Sequence, residues 1–326
     1  MITGGTGFLG SYLARYLVHE HGHNDIVIFE KNLHPERIAD ILDRVTVVHG
    51  DVQEPLELLD AMRTHDVDCV MHLAFIAGTE EPGHALPYLR FQCMATANVY
   101  ECARLHGVKR VVNASSHAVY GSRSGPPLKE DDALAPGRQL YGACKVWTEN
   151  VAENYNHTYG MEIISLRLQS AYGIGRVNRA RDWAAGMMGE AIWKQPNYRA
   201  NAELAALGMP VDMPPGDELD DFIHSFDTAQ AFWLAATADK PRHFAFNVSN
   251  EIRPVGDYTR ILRELLPDTV INEGPRPRNP TLLDSTRIRE ELGFKPRYNL
   301  EEGLAAYVDE VRRNARSAEA AIPDRP

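Results

Sequence analysis

The chain has 326 residues, 44% of them hydrophobic and 24% charged, with a formal net charge of −11. That size and balance describe a globular chain with room for one α/β domain and a smaller one. The negative charge speaks against a surface built for nucleic acid or an anionic membrane, and no apolar run reaches membrane-spanning length.

The four cysteines, Cys69, Cys93, Cys102 and Cys144, stand far apart with no CxxC or metal-ligand spacing. They are expected as free thiols in a reducing compartment, with no metal site. No secretory signal precedes the first motif, so a cytoplasmic location is expected by default.

The chain opens Met1-Ile-Thr-Gly-Gly-Thr-Gly-Phe-Leu-Gly10, placing glycines at 4, 7 and 10 between a short apolar lead-in and the amphipathic run Ser11–His19. Glycine costs conformational entropy, so this spacing needs a local reason. A strand-to-helix turn that binds a pyrophosphate supplies one. The first glycine makes the turn, the second admits the phosphates, and the third lets helix and sheet pack closely. The phosphates then meet the N–H groups at the start of the helix. A first strand of only Met1-Ile2 is short for the middle of a parallel sheet, where about five residues are usual. A native chain that starts earlier is therefore an expectation.

Asp25–Phe29 reads as the second strand, ending at Glu30, twenty residues past Gly10. An acidic residue there hydrogen-bonds the adenosine ribose hydroxyls and repels a 2′-phosphate, so the expected cofactor is NAD. Lys31 and Arg37 stand nearby as opposing charges. Further strands are expected at Val45–Val48, Val67–Leu73, Val108–Ala114 and Glu162–Leu168, with helical periodicity between them, notably in Tyr88–Leu105 and Tyr141–Tyr159. Such alternation means parallel pairing through right-handed crossovers. The fold class is α/β, a doubly wound parallel (Rossmann) sheet with a smaller, mostly helical C-terminal substrate-binding domain.

Residues 1–173 are assigned to the first domain, with 222–250 returning to it. Residues 174–221 and 251–314 are assigned to the second, and 315–326 to a loose tail. Within the irregular stretch 175–221 one helical run is expected around Trp183–Trp193, and its Met187 and Met188 are expected in the core of the smaller domain.

Tyr141-Gly-Ala-Cys-Lys145 places a phenol and an ammonium four residues apart, on one helix face. A phenol titrates near about 10 and is a poor base at neutral pH, and an adjacent cation favours the phenolate. Ser115-Ser116-His117-Ala118-Val119-Tyr120-Gly121 directly follows the fifth strand, where a hydroxyl in a loop at the mouth of the cleft can hold a substrate oxygen. Together these residues can orient and deprotonate an alcohol while the cofactor takes the hydride.

With these pieces in place the chain resembles the extended short-chain dehydrogenase/reductases, the family of nucleotide-sugar epimerases and dehydratases. The resemblance rests on Thr3–Gly10, Gly50-Asp51-Val52, His72-Leu73-Ala74, Ser115-Ser116, Val119-Tyr120-Gly121 and Tyr141-x-x-x-Lys145. It continues through Leu166-Arg167, Tyr172-Gly173, Asp221–His224 and Leu292-Gly293-Phe294.

It implies cofactor contacts from Gly4, Gly7, Phe8, Leu9 and Gly10, from Glu30, and from Asp51, which would bond the adenine amine, with Val52. Leu73, Ala74 and Phe75 would lie along the cofactor. Ser116, rather than Ser115, takes the substrate-facing role beside Tyr141, and Lys145 also holds the nicotinamide ribose. The resemblance further implies a homodimer through a four-helix bundle of the Tyr88–Leu105 and Tyr141–Tyr159 helices.

Departures from the family pattern narrow the chemistry. Dehydratases place an Asp-Glu pair where this chain has His117 and Ala118, and decarboxylating relatives need a Glu at Ala118, so neither reaction is expected. Nucleotide-sugar enzymes carry an Asn where Ser170 stands and a diphosphate-pairing Arg where Asp220 stands. A carboxylate there repels a diphosphate, although Arg276 and Arg278 offer a counter-charge.

The expected activity is therefore an NAD-dependent oxidoreductase acting at a secondary alcohol or ketone of a sugar, a sugar acid or a similar small substrate. A nucleotide-sugar 4-epimerase using the same residues is the first rival, and a non-catalytic NAD-binding sensor or scaffold the second. His117 is a candidate second acid/base, Ser170 a candidate substrate contact, and Arg176, Arg179 and Arg181 candidate clamps for a substrate carboxylate.

Overall fold

The computed structural model describes residues 1–75, 85–176, 198–273 and 281–320. In chain order the first six strands are β1 (Ile2–Thr3), β2 (Ile26–Glu30), β3 (Val45–His49), β4 (Cys69–His72), β5 (Arg110–Ser116) and β6 (Glu162–Leu168). After them come β7 (Val211–Met213), β8 (Leu219–Phe222), β9 (Ala245–Val248), β10 (Glu251–Pro254) and β11 (Ile271–Glu273). The helices used below are α1 (Phe8–His21), α2 (Pro55–Thr64), α3 (Ala85–Leu89), α4 (Thr96–His106) and α5 (Leu140–Tyr159). A π-helical segment, Arg90–Ala95, joins α3 to α4.

The described residues group into two compact units. The first comprises Met1–Gln169, Ser225–Ser249 and Thr281–Lys295, and the second Ser170–His224, Asn250–Pro280 and Pro296–Pro326. The first unit holds a seven-stranded sheet in the order β3-β2-β1-β4-β5-β6-β9. All of its pairings are parallel. The strand order reverses between β1 and β4, the point beyond which ligands bind in doubly wound sheets.

β1 needs only two residues because it is paired on both sides, Ile2 opposite Ile28 and Met71, and Thr3 opposite Phe29 and His72. Apolar side chains from the strands and from α2, α4 and α5 close one face, with Phe29, Leu58, Met62, Val70, Val99, Tyr100, Val111, Ala152 and Ile163 all buried.

The segment Thr281–Lys295, which the sequence reading gave to the smaller domain, groups with this first unit. Leu283 packs with Val119 and Tyr120, and the Asp284 amide donates to the Leu128 carbonyl at 2.8 Å.

The second unit contains two small sheets, β8 antiparallel to β10 and β7 parallel to β11. Its core is aromatic: Tyr172, Phe222, Tyr258 and Tyr307 are each at most 1% exposed. The helix Leu300–Ala320 packs Leu304, Tyr307 and Val308 into that core.

Candidate active site

Two glycines explain the shape of the first turn. Gly4 has φ +72°, and a Cβ there would stand 2.7 Å from the Ala74 nitrogen. A Cβ on Gly10 would stand 2.1 Å from the Gly4 carbonyl oxygen, so α1 could not approach the turn with any side chain at that position. Gly7 caps α1 through backbone alone, and no acidic residue lies in the helix's first turn. A helix start of this kind, uncrowded and free of like charge, fits the pyrophosphate of a dinucleotide.

Glu30 closes β2 with its carboxylate already oriented. One oxygen accepts from the Thr6 amide and hydroxyl at 3.3 and 3.1 Å, the other from the Lys31 and Asn32 amides at 3.1 and 3.3 Å. The two cations that opposed it in the sequence are engaged elsewhere. Lys31 pairs with Asp51 at 2.6 Å, and Arg37 donates to the Thr6 carbonyl at 3.2 Å. Desolvation works against the ionised form of Asp51, but the bonds from Lys31 and the Gln53 amide outweigh it and hold the carboxyl below its ordinary range. Val52 is buried among core side chains, and its carbonyl accepts from Asn98.

At the end of β4 a relay of hydrogen bonds fixes the lip formed by Leu73, Ala74 and Phe75. The Ala74 amide donates to Thr3 Oγ1 at 3.3 Å, and Thr3 Oγ1 lies 2.7 Å from His72 Nδ1. His72 Nε2 lies 3.1 Å from Thr96 Oγ1, whose own proton goes to the Gln92 carbonyl at 2.9 Å. The donors are then used up in one direction, which requires a neutral imidazole protonated on Nε2. Burial first, and the Lys145 charge second, push His72 down to about 3.

The strand bearing the serines runs further than its apolar pattern predicts, to Ser116 itself. Adjacent strand residues face opposite sides, so the two hydroxyls part. Ser115 turns inward and donates to Glu149, whereas Ser116 Oγ accepts from the Ala118 amide at 3.2 Å and caps the turn His117–Tyr120. His117 is the first residue of that turn. A Cβ on Gly142 would stand 2.4 Å from the Ala118 carbonyl oxygen, so the first turn of α5 lies directly against the Ser116 turn.

Tyr141 and Lys145 occupy the first two turns of α5. The Lys145 side chain is 5% exposed, and its Nζ donates to the Ala114 carbonyl at 2.7 Å. It lies 5.8 Å from the Tyr141 ring centre and 5.6 Å from that of Phe75, and the Phe75 and Tyr141 rings are 5.4 Å apart. The structure thus brings together Phe75, Tyr141, Lys145 and the end of β5. The Lys145 ammonium thus sits largely buried beside the Tyr141 ring.

One residue beside the candidate site escaped the sequence reading: Glu149, the next step of the 141–145–149 face of α5. It forms a buried ion pair with Arg167 at 2.8 Å, at 8% and 6% side-chain exposure. Arg167 also donates to the Tyr120 hydroxyl at 2.7 Å and the Glu130 carbonyl at 2.9 Å, and Tyr120 donates to Asn247 at 2.8 Å. The period of four was the signal that could have found it.

In the second unit Arg176 donates to the Ala171 carbonyl, and Ser170 is half-buried. Asp220 corrects an expectation. Its carboxylate is buried, paired with Arg199 at 2.7 Å, and accepts from the Tyr198 hydroxyl. Its charge is matched within the unit, so it does not stand as a bare repulsive anion. Arg179, Arg181, Trp183, Met187, Met188, Trp193, Arg276 and Arg278 lie outside the described residues. Among the described residues no group of three or more potential ligands forms a metal site, and no helix is long and apolar enough to cross a membrane.

A family model described as the NAD dependent epimerase/dehydratase family matches residues 1–249. The chain is 29% identical to a UDP-glucose 4-epimerase of Azospirillum brasilense over 93% of its own length and 89% of that protein's. Among solved structures, MoeE5 in complex with UDP-glucuronic acid and NAD is 27% identical, with a TM-score of 0.77 over 96% of this chain and 98% of that one. A UDP-glucose 4-epimerase from Stenotrophomonas maltophila, with bound NAD and formylated UDP-arabinopyranose, shares the fold with a TM-score of 0.82 at 22% identity, over 97% of this chain and 98% of that one.

Two predictions follow from the geometry. Glu149→Ala leaves the Arg167 guanidinium buried without its counter-ion and is expected to cost about 3–5 kcal/mol of stability, read as a lower urea midpoint. Because His72 is held neutral in the fold, the unfolded chain binds a proton there that the native one refuses between about pH 6.5 and about 3. Stability should fall as pH falls through that window, by up to about 1.4 kcal/mol per pH unit from this group. Urea titrations across the range should show His72→Gln with a slope shallower by about one proton.

Proposed function

We propose a specific activity for this chain, which belongs to the NAD-dependent epimerase/dehydratase family and is accordingly an NAD-using enzyme: it oxidises or reduces the carbinol carbon of a sugar or sugar acid. NAD, when bound, supplies the hydride acceptor. Tyr141 is the base that takes the proton from the substrate hydroxyl. Lys145, buried against Ala114, favours the phenolate and reaches the nicotinamide ribose. Ser116, whose oxygen already accepts the Ala118 amide, keeps its own proton to donate to the substrate oxygen.

Gly4, Gly7, Phe8, Leu9 and Gly10 take the pyrophosphate, Glu30 the adenosine ribose and Asp51 the adenine. Leu73, Ala74 and Phe75 line the nicotinamide half. His117, Ser170, Arg176 and Arg179 remain the candidates for substrate. The observation that carries this reading is the buried Lys145 ammonium held 5.8 Å from the Tyr141 ring.

One observation favours a second reading, a nucleotide-sugar 4-epimerase. With Asp220 neutralised by Arg199, the charge objection to a diphosphate loses its force, and the relatives named above act on or bind UDP-sugars. One assay separates the two. NAD is incubated with free sugars, uronic and aldonic acids and UDP-sugars, while reduced nicotinamide is followed by absorbance and sugar products by chromatography. Net reduction of NAD establishes the dehydrogenase; interconversion of a UDP-sugar without net reduction establishes the epimerase. In either case Tyr141→Phe should lower turnover by about 10²–10⁴-fold while NAD still binds. Retained turnover would remove Tyr141 from the role.

We further propose a cytoplasmic homodimer. The free cysteines suit a reducing compartment. Leu86, Leu89, Met94 and Leu105 on one helical stretch, with Trp147 and Tyr159 on α5, leave large apolar side chains exposed on the helices expected to form a four-helix bundle. Light scattering should give twice the chain mass, and Trp147→Glu should shift the population towards monomer.

A further inference from the structure

β2 and β3 run parallel with Glu30 opposite His49, and the Gly50 amide donates to the Glu30 carbonyl at 3.1 Å. The residues that leave the two strands, Lys31 and Asp51, therefore meet at the carboxyl end of the sheet, where the ligands of such folds bind. Lys31 Nζ donates to Asp51 Oδ2 at 2.6 Å. The Gln53 backbone amide donates to Asp51 Oδ1 at 2.9 Å, and the Gln53 side chain adds longer bonds to Oδ1 and Oδ2, at 3.5 and 3.3 Å. The carboxylate is 16% exposed and the lysine side chain 55%. Asp51 is thus held by the turn that follows it, while the ammonium reaches it from solvent on a long stem.

A site selects a ligand N–H most strongly when a ligand without it leaves a protein acceptor unpaired. Asp51 is not in that position. Lys31 and Gln53 serve its oxygens from within the protein, so a base that brings no amine leaves no orphaned carboxylate. The lysine also adds what a carboxylate lacks. An ammonium carries three protons, and Asp51 takes one of them. A donor and an acceptor therefore stand together at the position assigned above to the base. The 6-substituent of adenine is an amine, a donor; that of a 6-oxopurine is a carbonyl, an acceptor. Asp51 alone matches only the first, and the pair matches both.

We propose that Lys31 relaxes the base specificity of the dinucleotide site, which takes a cofactor with a 6-oxopurine base as well as one with adenine. With adenine, Asp51 accepts from the amine and shares its oxygens with the lysine. With a 6-oxo base, Lys31 donates to the carbonyl and keeps its bond to Asp51, so that no acceptor faces another acceptor bare. The inference rests on the assignment of Asp51 to the base under the proposed function.

The test equilibrates the purified full-length chain with an equal mixture of NAD and nicotinamide hypoxanthine dinucleotide, its 6-oxo analogue. Bound dinucleotides are separated by rapid gel filtration and quantified by chromatography. Their ratio cancels any general effect of a charge change on an anionic ligand. The wild-type chain should hold the two within about fivefold of each other. Lys31→Met, at a largely exposed side chain, should move the ratio towards NAD by about ten- to a hundredfold, the worth of a hydrogen bond to a charged group. Lys31→Arg keeps a donor and should keep the wild-type ratio. Asp51→Asn can still accept the Gln53 amide while its NH₂ replaces Oδ2, and should move the ratio towards the 6-oxo dinucleotide.

A wild-type preference for NAD beyond about fivefold, or a ratio unmoved by Lys31→Met, would overturn the proposal. If that preference disappears in Asp51→Asn, the carboxylate reads the amine unaided and its assignment to the base stands. Ratios unmoved in both variants would overturn the assignment and the proposal together. A chain that holds neither dinucleotide would remove the cofactor site itself.

Discussion

Burying a guanidinium and a carboxylate together costs several kcal/mol per ion, and the cost is offset only when nearly every donor and lone pair is used. The Glu149–Arg167 pair meets that condition. Arg167 spends its Nε and one terminal nitrogen on Glu149 and the other terminal nitrogen on the Tyr120 hydroxyl and the Glu130 carbonyl. Glu149 accepts Ser115 in addition. The pair ties α5 to β5 and β6, and through Tyr120 and Asn247 it reaches β9. Because α5 also carries Tyr141 and Lys145, and β5 ends in Ser116, this desolvated ion pair joins the element of the proposed base to that of the proposed hydrogen-bond donor, alongside the Lys145–Ala114 bond and the Gly142–Ala118 approach. A buried network of this kind tolerates no half-satisfied state, which makes it a means of rigidity more than of stability.

The alternation of strands and helices, the glycine turn and the Tyr141/Lys145 face were legible because each is written in local periodicity or spacing. The boundary of β5 was not. Val108–Ala114 carries the apolar signal of a strand, but pairing with β6 extends through Ser115 and Ser116, opposite Arg167 and Leu168. Two serines have no strand signal of their own; their neighbours in the sheet impose the conformation. That extension gives the choice between the two serines a geometric basis, since alternation sends one hydroxyl to Glu149 and leaves the other at the Ala118 amide.

Asp220 illustrates the opposite failure. Within the acidic run Asp217–Asp221 it reads as one more exposed carboxylate, and its partner Arg199 lies twenty-one residues away with no periodic relation to it. Which charges of an acidic segment are buried and compensated is decided by tertiary packing, here against Tyr198 and Arg199. A charge argument about substrate built on such a segment inherits that blindness.

The dehydrogenase and epimerase readings share their first half. In both, Tyr141 takes the hydroxyl proton, Ser116 steadies the oxygen and hydride leaves the carbon. They separate only in the fate of the ketone, which is either released or turned and reduced again from its other face. Nothing in the chemistry of Ser116, Tyr141 or Lys145 distinguishes these outcomes, because the return step is the forward step reversed. The absence of an acidic pair at His117 and Ala118 bears on a different branch, the elimination at a second carbon. The distinction therefore lies in how long the site holds the ketone and how freely the ketone can rotate. A diphosphate handle allows a sugar ring to swing while tethered; a small free substrate offers no such pivot. With the charge of Asp220 already spent on Arg199, the question of mechanism becomes a question of whether the substrate carries that handle.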